Sequence, residues 1–390
     1  MSICREVVSY ADSETNKYQV DCGQDRKRRE LTDEQPASKY FGQSSFQIIS
    51  GDSRKIVKTL PQVYTVVTSP PYWGQRRYGS SQKDIGSEEG AESYLTELCD
   101  LLDATPLHPR GSVWVNLGDK RGSDGGLLNL PSRFSIEMQK RGWLLLDSVV
   151  WAKVVDLVDG STIGNAMPEP APNRLNGNGY ELFFRFARSR EAWADACAVR
   201  IPRAGLEASP YLPSDLMRVG TAINGRAAHN VWQIPMGQTR ESHFAAYPVE
   251  LVERPIAMSC PPFVNLDGSL PTRIVEMVPY DEGRGRSRKI GKYTSGTKQS
   301  SGRQDCGRQY VAKYPTSTGW NNIQKGWTPG IVLDPFCGTG TTGEVALKLG
   351  RRFIGIDLYE KYADIARERC ENTVQYLQNR KEAHHVNPAA

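Results

Sequence analysis

From residue 46 onward, apolar positions come in short blocks in which two periods alternate. "FQIISGD" (46–52) and "YTVVTS" (64–69) read as short buried strands flanking "SRKIVKTL" (53–60), which is long enough for a helix of about two turns, so this unit predicts as β-α-β. There follow a helix over Ala91–Leu102, the strand "GSVWVNLGD" (Gly111–Asp119), a helix over Pro131–Arg141, the strand "WLLLDSVVWAK" (Trp143–Lys153) and a further strand in "ELFFRFARS" (Glu181–Ser189). Strands alternating with helices predict an α/β fold with a mostly parallel, doubly wound sheet. The clearest unit comes last: a strand over Ile331–Leu333, a glycine-rich turn, a helix over Thr341–Leu349, a strand over Phe353–Ile356 ending at Asp357, and a helix to about Arg380.

Between these blocks the pattern fails, and composition takes over. Residues 1–40 are polar, include the charged run "DRKRRE" (Asp25–Glu30), and predict a flexible or loosely attached arm. Residues 41–189 form one half of a core and 330–381 the other, with a core helix segment at 243–260 and a tail at 382–390. Residues 190–242 and 261–329 read as irregular insertions. The second is rich in Gly and Ser, and between Arg284 and Lys313 it carries nine Lys or Arg against one acid, Asp305. Such a stretch is either a solvated loop or a surface for nucleic acid, and Arg284, Arg286, Arg288 and Lys289 are its densest part. A net charge of +5 allows a polyanionic partner without requiring one.

Eight cysteines lie far apart with no CxxC pair, which predicts reduced thiols and no metal site. Neither a signal peptide nor an 18-residue apolar run is present, so a soluble, cytoplasmic chain without a membrane partner is expected.

Two stretches carry chemistry. In "VVTSPPYWGQRRYG" (Val66–Gly79) a strand stops at two prolines, which cannot donate to a ladder and which stiffen the segment after them. In "GTGTTG" (Gly338–Gly343) a GxGxxG turn comes after a strand, opens a helix and is succeeded by Asp357 at the next strand end. A nicotinamide cofactor is one candidate for that turn. Against it, Asp334 at the strand tip would face a pyrophosphate with like charge. S-adenosylmethionine, a cation without phosphates whose ribose diol still needs an acceptor, fits a carboxylate there better. The residues alone leave open a methyltransferase, an NAD(P)-dependent oxidoreductase and a non-catalytic DNA-binding protein.

"DPFCGTGTT" resembles the methyl-donor motif of the DNA amino-methyltransferases, and "TSPPYW" resembles their catalytic tetrapeptide. With the tetrapeptide first, the chain resembles the permuted β class, and serine at its head resembles the cytosine-N4 branch, with adenine N6 as the alternative. Further likeness runs through "SGDSRKIVKTL", "GSVWVNLGD", "YELFFRFARS", "VWQIP" and "HFAAYPVELVERPI". The resemblance implies a circularly permuted, Rossmann-like methyltransferase that transfers a methyl group from S-adenosylmethionine to a base flipped from double-stranded DNA. It also implies a restriction–modification or phage setting, where a cognate endonuclease would be a partner. Ser69, Pro70, Pro71 and Tyr72 become the expected catalytic residues. Asp52, Asp334, Pro335, Phe336, Gly338, Gly340, Thr341, Thr342 and Asp357 become the expected cofactor residues. Trp73, Arg174, Glu181 and the basic stretch are expected at the DNA. If the strand ending at Leu333 lies beside the one ending at Thr68, both motifs share one crevice.

Overall fold

The computed structural model describes residues 45–74, 84–156, 162–164, 179–199, 228–236, 247–279 and 313–386. In chain order its elements are β1 (Phe46–Ser50), α1 (Ser53–Ile56, continued by a 3-10 turn over Val57–Thr59), β2 (Val63–Thr68), α2 (Ala91–Ala104), β3 (Leu107–Leu117), α3 (Leu130–Lys140) and β4 (Leu144–Asp156). Then come β5 (Thr162–Gly164), β6 (Tyr180–Ala187), β7 (Val231–Pro235), α4 (Val249–Ser259), β8 (Thr272–Pro279), β9 (Lys313–Asn321), β10 (Ile331–Asp334), α5 (Thr341–Lys348), β11 (Arg352–Asp357) and α6 (Glu360–Val386).

The described residues fall into two compact units. The larger is built on one sheet in the order β1-β11-β10-β2-β3-β6-β4-β5, with β7 paired to β4. The first five strands run parallel, and β6 is antiparallel to both of its neighbours, β3 and β4. This is the expected mostly parallel α/β sheet. Side chains alternate across it. Val66, Val113, Val115, Phe184, Phe186, Leu333 and Ile356 pack on one face with Leu98 and Leu102 of α2 and Phe134 and Met138 of α3. Val67, Trp114, Phe183, Val332 and Phe353 pack on the other with Leu251 and Ile256 of α4, Val345 and Ala346 of α5, and Ala366 and Cys370 of α6. Covering both faces with helices explains why the strands read as nearly continuous apolar runs.

Two stretches expected to be irregular contain regular structure. The 190–242 stretch supplies β7, which pairs parallel to β4 from Val150↔Val231 to Val154↔Pro235. The 261–329 stretch supplies the described part of the smaller unit, the antiparallel pair β8–β9, where Arg273 sits 4.5 Å from the Trp320 ring centroid. The last helix runs to Val386, so the beginning of the expected tail is helical. The N-terminal arm, Arg174, and the basic residues Arg284, Arg286, Arg288 and Lys289 lie outside the described residues.

Candidate active site

The chain leaves β10 toward β11 on one side and leaves β2 toward β3 on the other, so the winding reverses between β10 and β2. Crevices at the carboxyl ends of strands form at such reversals. β2 and β10 are direct parallel neighbours, with Thr65↔Val332 and Val66↔Leu333 in register. Thr68 Oγ1 donates to Asp334 Oδ1 at 2.7 Å, so the tetrapeptide and the glycine turn begin side by side although 266 positions separate them in the chain.

Asp334 is 1% exposed. Its carboxylate accepts from Thr68 Oγ1, the Phe336 amide (3.1 Å), Thr342 Oγ1 (2.6 Å) and Tyr247 OH (2.9 Å). The reading of Asp334 as a carboxylate turned toward a cationic ligand therefore needs correction: its acceptor positions are taken by the chain, and it latches β2, the turn, α5 and the approach to α4 together. Burial pushes its carboxyl up, against the pull of these donors. Thr342 is committed to this latch, Thr341 Oγ1 accepts from Arg369 (2.9 Å), and the carbonyl of buried Pro335 accepts from Ser53 Oγ (2.5 Å). These three support the turn from behind.

The surface of the turn is made by other groups. Asp357 accepts the Gly338 amide (3.0 Å) on one oxygen and the Tyr359 amide (3.0 Å) on the other. Burial, with a lesser contribution from Asp334, raises its carboxyl to about 6. Gly338 has φ +49°, and a Cβ placed on it would meet nothing within 4 Å, so the turn presents bare backbone to open space there. Gly340 (φ +83°) and Gly343 answer a different need, since a Cβ would lie 2.9 Å from Ala366 Cα at the first and 2.6 Å from the Phe353 ring at the second. Asp52 caps α1, accepting the Arg54 amide at 3.0 Å and pairing with its guanidinium at 2.9 Å. Burial raises its carboxyl, but the Arg54 contacts outweigh burial and leave it below the usual range. Ser50 lies opposite Asp357 in register, which brings Asp52 to the same end of the sheet. Buried Cys337, whose thiol is held well above its ordinary value by burial and then by Asp334, is unsuited to act as a nucleophile.

On the β2 side, no described residue donates to the carbonyl of buried Pro70, and Ser69 Oγ reaches Tyr72 OH at 3.4 Å. Tyr72 OH donates to Glu181 Oε2 (2.7 Å) and accepts from Asn116 Nδ2 (3.0 Å). Glu181 also receives Asn116 Nδ2 (2.6 Å) and Lys153 Nζ (2.6 Å). A Cβ on Gly118 would lie 2.9 Å from the Tyr72 ring and 3.4 Å from Glu181, so bare backbone there lets the two side chains meet. Trp73 is anchored beside them: its indole N–H donates to the Glu88 carbonyl (2.8 Å), and Lys120 Nζ lies 4.9 Å from its ring.

Of the expected residues, the structure thus gathers Ser69 to Trp73 with Glu181 on one side of the switch point, and Asp334 to Thr342 with Asp357 and Asp52 on the other. Sequence reasoning did not single out Asn116, Gly118 or Tyr247. Asn116 and Gly118 carry a usable signal, as polar and glycine residues ending an apolar strand. Tyr247 carries none of that kind.

A glycine turn and a polar tetrapeptide meeting at the switch point of a doubly wound sheet define a class of enzymes that bring a nucleoside-bearing cofactor to a second substrate. The profile of the N6/N4 DNA methylase family matches residues 63–269 and 279–368, and the chain belongs to that family. It is an S-adenosylmethionine-dependent DNA methyltransferase. It is 25% identical to Type II methyltransferase M.SmaI of Serratia marcescens over 357 residues, 83% of this chain and 90% of that one. It is 25% identical to Type II methyltransferase M.Cfr9I of Citrobacter freundii over 356 residues, 83% of this chain and 87% of that one. Among solved structures, PvuII DNA methyltransferase (cytosine-N4-specific) matches with a TM-score of 0.48 and 15% identity, over 86% of this chain and 94% of that one. Asp357 offers an acceptor for a ribose diol and the open face of Gly338 allows close approach, so the residues present fit S-adenosylmethionine.

Proposed function

We propose that this protein transfers a methyl group from S-adenosylmethionine to the exocyclic N4 of a cytosine flipped out of duplex DNA, as a Type II modification enzyme. When bound, S-adenosylmethionine supplies an electrophilic methyl group on a sulfonium. Asp357, Asp52 and the Gly338 backbone would hold it, with Phe336 beside them.

Cytosine's amine is a weak nucleophile because its lone pair is delocalised into the ring. Ser69 Oγ and the Pro70 carbonyl are acceptors that would take its two N–H bonds and localise that pair toward the methyl carbon. Tyr72 offers a ring face to the extruded base; such stacking is worth about 1–3 kcal/mol. That is comparable to the few kcal/mol that extrusion costs. Holding amine and methyl carbon in line can contribute roughly 7–11 kcal/mol, so positioning is the larger effect.

The observation that supports this reading is the pairing of β2 with β10, which sets Ser69 beside the glycine turn. The choice of cytosine rests on serine heading the tetrapeptide. The test is to incubate the protein with duplex DNA and S-adenosylmethionine, digest the DNA to nucleosides and identify the product by mass and retention. N4-methyldeoxycytidine is expected. N6-methyldeoxyadenosine would move the assignment to adenine, and unmodified DNA would overturn amine methylation altogether.

A further inference from the structure

Methylating a neutral amine leaves a proton to be removed. Once the nitrogen has gained a methyl group it is positively charged until one N–H proton departs, and neither an alcohol nor an amide oxygen retains a proton near neutral pH. The two acceptors assigned to the amine, Ser69 Oγ and the Pro70 carbonyl, are groups of these two kinds, so the proton must travel further.

From Ser69 the hydrogen bonds all point one way. Ser69 Oγ–H is directed at Tyr72 OH (3.4 Å), and Tyr72 O–H donates to Glu181 Oε2 (2.7 Å). Glu181 is the first carboxylate on that path, a far stronger proton acceptor than a neutral alcohol or amide oxygen. Asn116 Nδ2 donates both to Tyr72 OH (3.0 Å) and to Glu181 Oε2 (2.6 Å), fixing the angle between them. Lys153 Nζ, 2.6 Å from Glu181 Oε1, balances the carboxylate's charge, and the two side chains are only 13% and 12% exposed.

We propose that Ser69, Tyr72 and Glu181 form a proton relay that carries one amine proton from the reacting nitrogen to the Glu181 carboxylate, with Asn116 and Lys153 as positioning residues. The proposal rests on the amine-methylation reading but not on which base is methylated. Atoms and charges balance across the step. The nitrogen takes the methyl carbon as the C–S bond breaks with its electron pair left on sulfur. The nitrogen's proton passes to Ser69 Oγ, the Ser69 proton to Tyr72 and the Tyr72 proton to Glu181, leaving a neutral methylated amine, a thioether and a carboxylic acid that later releases its proton to solvent. Tyr72 is not itself the sink. Burial, and then the charge of Glu181, hold its phenol well above the ordinary value, so it gives up a proton only as it receives one. The 3.4 Å first link is long for an O–H···O bond. An amine donating to Ser69 Oγ would turn the hydroxyl proton toward Tyr72, and catalytic hydrogen bonds commonly tighten when substrate is seated.

Single-turnover methyl transfer to duplex DNA decides the proposal, measured for the wild type, Tyr72→Phe, Glu181→Gln and the double variant, with donor affinity and melting temperature followed alongside. Tyr72→Phe keeps the ring face and loses only the hydroxyl. Each single variant is expected to lose about 10²-fold in rate, in line with a positioned proton acceptor. Donor affinity should stay within about twofold, and the wild type's solvent deuterium isotope effect should shrink. Because the two groups act in series, the double variant should be no slower than the slower single. A Tyr72→Phe protein at wild-type rate, or losses that multiply in the double variant, would overturn the relay; if Glu181→Gln melts too early to assay, Tyr72→Phe decides alone. Wild-type protein that makes a methylated amine while Tyr72→Phe is unimpaired sinks the relay but leaves the function. Wild-type protein that makes none sinks the function first.

Discussion

Asp334 and Asp357 end neighbouring strands, and their surroundings give them different work. Asp334 is surrounded by hydroxyls and an amide of its own chain, whereas Asp357 is held by two backbone amides and remains partly exposed. With its carboxyl raised to about 6, Asp357 is protonated over a range where an ordinary aspartate is ionised. The folded chain then binds a proton that the unfolded chain has released, so stability of the free protein should decline as pH rises from the ordinary carboxylate range through about 6. Donor binding should run the opposite way. A ribose diol donates best to an ionised carboxylate, so affinity measured by titration calorimetry is expected to increase as pH rises through about 6. Asp357→Asn should weaken binding and flatten that dependence; an unchanged pH profile in the variant would detach Asp357 from the ribose. At this scale the sequence pointed to these two carboxylates but not to their surroundings. Neither the burial of Asp334 nor its bond to Tyr247, 87 positions away in the chain, has a local signature.

The glycine turn shows how three residues of one motif serve different elements. Gly338 faces open space, whereas Gly340 lets α5 approach α6 and Gly343 lets α5 approach β11. Gly343→Ala would place a Cβ 2.6 Å from the Phe353 ring and 2.7 Å from Cys370 Sγ, and overpacking of this kind costs about 1–3 kcal/mol. Gly338→Ala has room but keeps a left-handed backbone, at a cost of about 1–2 kcal/mol. Melting curves should show the larger loss for Gly343→Ala. Donor titration should show weaker binding for Gly338→Ala than its stability loss explains, because the new methyl group occupies the approach to the turn. Most strands of the main sheet were legible because both faces are buried and the runs are largely apolar, but the three-residue β5 was not. β7 was not, since "VWQIP" alternates buried and exposed positions within a stretch of prolines, glycines and arginines that resembles a loop. β9 was hidden likewise, because "KYPTSTGWN" is mostly polar.

For the whole molecule, the two motifs were readable through their likeness to a family, and their adjacency through the logic of the sheet. The network joining Asn116, Lys153 and Glu181 to Tyr72 was not readable, because it is assembled from β3, β4 and β6, whose spatial order differs from their chain order. Whether the basic stretch between β8 and β9 meets DNA is read from the salt dependence of binding. If it contacts phosphates, log affinity should fall linearly with log salt, and replacing Arg284, Arg286, Arg288 and Lys289 by alanine should reduce the slope by up to about 0.9 per charge removed. Filter binding across a salt series gives that slope; an unaltered value would mean that these residues do not touch the backbone of the duplex.

The place of β10 between β2 and β11 also governs when the protein can first become active. During synthesis β2 is made before the neighbour that completes its edge, which comes only after more than 260 further residues. Until then one side of β2 is an unfilled slot in the sheet, exposed to wrong pairing and attractive to chaperones. Chains stalled or cut before β10 lack the latch on Asp334 and the glycine turn together.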